Sequence, residues 1–500
     1  MSSLKKLASQ TLWYGVPTIV SRFLSYGLNL LGFRLFNAVS TSDLTQIYAV
    51  IPFLNILFTY GLETSYFRFA QHKEKKSLYN TLMVSILLST IFLTTLLFIF
   101  KSSITNFIEL NDHPEYVNWM IWILFFDTLS VLPFARLRQE GRPRKYAFIK
   151  VANILLTIVF VIFFLFICKP LYEKNPGHPL LFFYDPKIGV GYFIIANLLA
   201  SALTLIFLFK ELAEFRFIFD RPMWKEVMIY SYPLIIVGLG GMINEMLSRL
   251  VYRKVLHVDP IIEKRELGIF GANYKLAVLI TIFIQVFRLA AEPFFFSQSH
   301  LEDAKRTYAR VMKFFVMACC MMFLAISLFL DAWQILIASR FKEYAEGIHI
   351  VPILAMGSVF LGIYYNLSVW YKLTNRNMVG AYITVAGALV TILLNIWWIP
   401  IWGYTGSAWA TFVCYGFMMV ASYLLGQKYY KIPYPKKKLI AYLVISALLY
   451  LFHQGIIYFT PAMKVLHYFF AVFFLGIFIL LIVKIEKKEF QKLPVIGKYI

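Results

Sequence analysis

Runs of about twenty residues with scarcely a charge recur from one end of this 500-residue chain to the other. Residues 80–100, for instance, contain no Asp, Glu, Lys or Arg. A helix of that length rises about 30 Å, the thickness of a bilayer's hydrocarbon core, and in hydrocarbon every backbone polar group must be bonded internally. The strands of a transmembrane barrel need roughly ten-residue segments alternating polar and apolar, and these runs stay apolar for twice that length. The chain therefore reads as an all-α polytopic membrane protein, in keeping with 60% hydrophobic and only 15% charged residues.

Apolar windows place about fourteen spans near residues 11–36, 45–70, 80–100, 116–136, 146–168, 189–209, 228–251, 268–292, 311–330, 346–366, 380–399, 404–426, 439–459 and 464–484. A net charge of +22 would suggest nucleic acid in a soluble protein. Here the Lys and Arg sit mostly in short loops on the side of the N-terminus, so the charge reports topology and predicts both termini in the cytoplasm of a multi-pass inner-membrane protein. The densest basic loops, Arg136 to Lys150 and Lys428 to Lys438, fall on that side. No nucleic-acid partner is expected. Arg22 interrupts the first span and no small-residue cleavage site follows it, so this span is expected to remain in the mature protein. Cys168, Cys319, Cys320 and Cys414 lie in or beside apolar segments without metal-ligand or disulfide spacing, and read as packing residues.

Spans one to six (11–209) and seven to twelve (228–426) have nearly equal lengths, with a charged and aromatic linker at 210–227 suited to an amphipathic interfacial helix and an additional helix pair at 439–484. Six is even, so both lobes start on one side, as in a parallel repeat with its substrate site between the lobes.

Five cations, Arg22, Arg34, Arg249, Lys275 and Arg288, lie within the spans. Intramembrane charge is costly and usually faces a wet or protein-lined interior, so their number points to an anionic cargo. At 100° per residue Arg22, Tyr26 and Asn29 share one stripe of span one, with Arg22 near mid-depth. The alternative is an ion pair with Asp127 of span four, while Arg34, near a helix end, is also placed to snorkel to the interface. Glu245 with Arg249, and Arg288 with Glu292, are each four apart and able to neutralise one another on their own helices. Asp127 and Glu245 are alternatively candidates for a coupling proton or cation. Asn55, Gln285, Asn366 and Asn395 suit either sugar hydroxyls or hydrogen bonds across helices. Glu63, Arg68, Arg288 and Glu292 are candidates for an inner gate. No Gly-rich phosphate loop, Asp-x-Asp or His-Glu-x-x-His occurs, so no nucleotide, metal or other cofactor and no enzymatic activity is expected.

Several stretches resemble the polysaccharide (O-antigen type) flippases of the multidrug/oligosaccharidyl-lipid/polysaccharide exporter superfamily. They are Gly268-Ile-Phe-Gly-Ala-Asn-Tyr-Lys-Leu-Ala277 followed by Ala291-Glu-Pro293, Gly61 to Phe69, and Asn395 through Ile399-Pro400 to Thr411. The resemblance implies two six-helix bundles in a V, alternating access, and flipping of undecaprenyl-pyrophosphate-linked oligosaccharide to the outer leaflet for lipopolysaccharide or related surface polysaccharide. It also implies membrane lipids as partners and polymerase or ligase enzymes as associates. A lipid II flippase and a multidrug or organic-cation exporter of the same superfamily are the alternatives, with a membrane glycosyltransferase, polymerase or ligase as the alternative of a different class.

Overall fold

A computed structural model describes residues 3–298, 301–374 and 376–491, with side chains described from residue 19 except at 180, 289, 290, 292, 293, 296, 297 and 490. The chain is predominantly helical, and no strand occurs among the described residues. Among the described residues, twelve helices are long and apolar enough to cross a membrane. One of these, Asn377–Tyr429, covers two expected spans because Gly403 breaks it at φ 53°, in the left-handed region that glycine enters without a Cβ clash. With Ser3–Leu35 at the position of the first span, fourteen helical spans run in step with the expected ones.

Span two is Ala38–Phe69, opened by Asn37, whose side chain accepts from Ser40 N–H, and kinked where Tyr60 and Gly61 both take positive φ. Spans three to six are Lys75–Ile99, Pro114–Gln139, Pro143–Lys174 and Pro186–Phe207. Span seven is Arg221–Leu256, span eight Pro260–Gln298, span nine Ala304–Ser327 and span ten Ile350–Leu373. Spans thirteen and fourteen are Lys436–Phe459 and Lys464–Ile485.

Two expectations need correction. The basic stretch 136–150 is mostly helix, not loop: span four runs to Gln139 and span five starts at Pro143, with proline in the first turn where its missing N–H costs nothing. Nor is 210–227 one interfacial helix. Phe209–Ala213 is helical, 214–220 is irregular, and Asp220 caps span seven by accepting from Met223 N–H at 3.0 Å. The irregular backbone finds partners on span three, where Asn80 Oδ1 accepts from Arg216 N–H and Thr81 Oγ1 from Asp220 N–H. Those outside acceptors remove the need for helical hydrogen bonds.

The chain divides into two compact units, residues 1–271 with 391–403, and residues 272–390 with 404–500. In the first, span one lies along span five, and Ser21 Oγ donates to Lys150 O at 3.3 Å. Span eight crosses the start of span two so closely that a Cβ on Gly268 would stand 2.0 Å from Ala38 O. Small residues permit such approach between membrane helices, where dispersion rather than water exclusion drives association. In the second unit spans nine, thirteen and fourteen pack together. Glu486, 2% exposed at the end of span fourteen, takes Lys313 Nζ of span nine at 2.5 Å, Lys438 Nζ at 2.7 Å and Tyr442 Oη at 2.8 Å. Cys168, Cys319, Cys320 and Cys414 are buried free thiols.

Candidate functional site

In the first unit Arg22 is exposed on span one, Tyr26 and Asn29 are half-buried, and Arg34 is exposed in the helix's last turn, where a cation suits the helix dipole. Asn29 Nδ2 donates to Ser25 O at 2.7 Å, so part of the stripe is tied to its own helix. The Tyr26 hydroxyl is buried and has no hydrogen-bond partner among the described residues. Asp127 is engaged by Ser201 of span six and lies within charge range of Lys150 of span five. Lys150 also sits 4.0 Å over the Phe134 ring. On span seven Arg249 is only 7% exposed, and its Nη1 lies 2.6 Å from the Met246 sulfur, a weak acceptor. Half-buried Glu245 lies beside Asn244, which accepts from Thr391 Oγ1 at 3.1 Å.

A second charged cluster in this unit was not expected from the sequence. Asp43 and Arg253 are 4% and 5% exposed and face each other at 3.8 Å. Glu109 approaches Arg253 at 3.1 Å, and Lys264 reaches Asp43 at 3.9 Å and pairs closely with Asp112. The Lys264 hydrogen bond holds the Asp112 carboxyl below the usual range. Asp43 Oδ1 and Arg253 Nε and Nη1 are buried without a well-formed hydrogen bond. Apolar windows beginning at 45 and ending at 251 stop two residues short of both charges, which is why they read as loop. Lys150 falls inside the window 146–168 but counts with the basic loop Arg136 to Lys150.

Among the gate candidates, Arg138 Nη1 donates to Glu63 at 2.6 Å, and the Arg68 guanidinium stands 4.1 Å from the Tyr230 ring centroid. In the second unit Lys275 is half-buried and Arg288 is exposed, with its guanidinium 4.9 Å from the Tyr365 centroid in a small cavity shared with Asn366 and Phe287. The Glu292 side chain lies outside the described residues, as does that of Pro293. Of the polar spans' residues, Asn395 is fully buried and donates to Thr391 O at 2.7 Å, a structural role. Asn55 Oδ1, Gln285 Oε1 and Asn366 Nδ2 are instead buried without a partner among the described residues. Such atoms are costly to leave unbonded and mark places where a ligand or water completes the set.

These features define a polytopic helical membrane protein with cations set into its spans. Residues 7–300 match the family model described as "Polysaccharide biosynthesis protein", and the chain belongs to that family. No curated protein matches it in sequence. Among solved structures it is similar to the lipid II flippase MurJ in an inward closed conformation, with TM-score 0.69 and 15% identity over 94% of this chain and 98% of that one. It is also similar to an inward-facing multidrug resistance MATE family transporter of the MOP superfamily, with TM-score 0.60 and 15% identity over 84% and 94%. The Vibrio cholerae MATE transporter VcmN in its bent form gives TM-score 0.57 and 11% identity over 89% and 99%. At these identities the likeness is one of fold, and the relatives are transporters and flippases.

Proposed function

We propose that the chain flips a lipid-linked oligosaccharide, of the undecaprenyl-pyrophosphate kind, from the inner to the outer leaflet of the cytoplasmic membrane for O-antigen-type surface polysaccharide. The observation that carries this reading is the retention of guanidinium groups within the spans, Arg22 uncovered on span one and Arg249 enclosed on span seven. A guanidinium offers a rigid donor fork matched to phosphate oxygens, and outside bulk water its attraction for a pyrophosphate grows. Membership of a polysaccharide biosynthesis family supports a sugar-bearing cargo. In this scheme both termini are cytoplasmic and lobes 11–209 and 228–426 alternate access without a nucleotide. Asp127 and Glu245 are the acids available to a coupling ion, and a polymerase or ligase receives the product.

Proteoliposomes loaded with labelled undecaprenyl-pyrophosphate oligosaccharide test the reading, with an external glycosidase reporting exposure. Protein-dependent exposure, lost in Arg22→Ala and in Arg249→Ala, is expected; exposure no faster than in protein-free vesicles would overturn it. Lipid II is the second reading, favoured because the fold likeness to MurJ covers 94% of this chain where that to the MATE transporter covers 84%. Vesicles carrying lipid II in place of the oligosaccharide decide between them.

A further inference from the structure

A cavity of about 680 Å³ opens at the end of the first unit where span three begins and span four ends. Four cations line it: Lys75 and Lys76 in the first turn of span three, Arg136 in the last turn of span four, and Arg216 in the irregular segment after span six. Two acids face them, Glu140 and Glu214, and both are taken by Arg136. Arg136 Nε donates to Glu140 at 2.6 Å, and its Nη2 to Glu214. Lys75, Lys76 and Arg216 form no ion pair among the described residues.

The wall behind these cations is held in place. Asn80, 1% exposed, accepts from Arg216 N–H at 3.0 Å, and Tyr79 donates to Glu211 O at 3.0 Å while carrying the Arg136 guanidinium 4.8 Å over its ring. Glu74, the N-cap of span three, makes no side-chain bond to the first-turn amides, which leaves that helix end open toward an anion. Immediately along the chain from Arg216, Phe217, Ile218 and Phe219 are 67%, 51% and 45% exposed. An unsatisfied positive pocket beside an exposed apolar run matches a phosphate held at a membrane interface, with acyl chains beyond it.

We propose that this pocket binds a phosphate-bearing anion through Lys75, Lys76 and Arg216, at a site distinct from Arg22, Arg34, Arg249, Lys275 and Arg288. The same chemistry is offered by an anionic lipid headgroup and by a free phosphate or pyrophosphate, and the exposed run 217–219 favours the lipid. The inference rests on the pocket alone and stands whatever the chain transports.

The test uses the full-length protein in neutral detergent. One arm measures retained phosphatidylglycerol against phosphatidylcholine by native mass spectrometry, and the other measures inorganic pyrophosphate binding by calorimetry. Both are repeated in the Arg22→Ala background to remove a span cation from the signal. Lys75→Gln/Lys76→Gln/Arg216→Gln is expected to weaken phosphatidylglycerol or pyrophosphate binding at least about tenfold, since each cation near a membrane surface contributes several-fold. Loss confined to the phosphatidylglycerol arm identifies a lipid headgroup, and loss confined to the pyrophosphate arm a soluble anion. Equal binding by variant and parent in both arms overturns the site. Lys75→Gln/Lys76→Gln, at two exposed positions, gives the same reading if the triple variant does not fold.

Discussion

Arg22 and Glu486 show how differently a charge is used in the two units. Arg22 is exposed on a helix read as membrane-spanning, and a mid-depth guanidinium in hydrocarbon costs at least about 2.5 kcal/mol even on insertion scales. Arg22→Ala should therefore abolish transport while leaving membrane abundance near normal. Arg22→Lys should restore only part of it, because an ammonium lacks the fork; a surface-polysaccharide assay beside an immunoblot checks both. Glu486 is structural. Its burial alone would raise its carboxyl pKa, but hydrogen bonds from Lys313, Lys438 and Tyr442 outweigh that and hold it below the usual carboxylate range. A depressed carboxylate stabilises the fold above its unfolded value and loses that contribution as pH falls through the folded one. Thermal unfolding should thus be flat from pH 8 to about 5 with respect to this group and fall below about 4. Glu486→Gln leaves Lys313, 7% exposed, with Glu489 at 4.0 Å in place of its close partner, and should cost about 3 kcal/mol, whereas Lys313→Met/Glu486→Leu should cost much less.

At the scale of helices, close approach explains part of the resemblance motif that begins at Gly268. That glycine stands where span eight crosses the backbone of span two, and at Gly271 a Cβ would lie 2.6 Å from Thr45 Oγ1. A side-chain end such as that of Thr45 can rotate away, but the Ala38 carbonyl cannot. Gly268→Ala should lower stability by about 1–3 kcal/mol through forced separation of the two helices, and Gly271→Ala by less, as thermal melts of the purified protein would register. The C-terminal pair offers a second prediction. Spans thirteen and fourteen cover span nine, where Phe323 meets Tyr450 edge-on at 6.0 Å. A chain ending near residue 435 uncovers that face and strips Lys313 of Glu486, so it should lose thermal stability. If that shortened chain still transports at the full rate, the pair serves stability and not transport.

For the whole molecule, the sidedness inferred from the basic loops is directly measurable. In a background without the four buried cysteines, Glu74→Cys should react with an impermeant thiol reagent only after the membrane is opened. Asn175→Cys, in the loop between spans five and six, should react in intact cells. The reverse pattern would invert the topology. The all-helical class, the fourteen-span count and the order of the spans were legible in the sequence by itself, because a bilayer demands long apolar helices and composition alone reveals them. The Arg22–Tyr26–Asn29 stripe was legible too, since helical period sets it. The sequence could not show that Asp43 and Arg253 meet at 3.8 Å, that Glu486 gathers three donors, or that Arg136 takes both acids of a pocket and leaves three cations without one. Apart from the i,i+4 pair Arg136–Glu140, each of these joins residues far apart in the chain, and hydropathy records only where a helix can run; which faces meet is decided by side-chain packing, and that exists only in the folded chain.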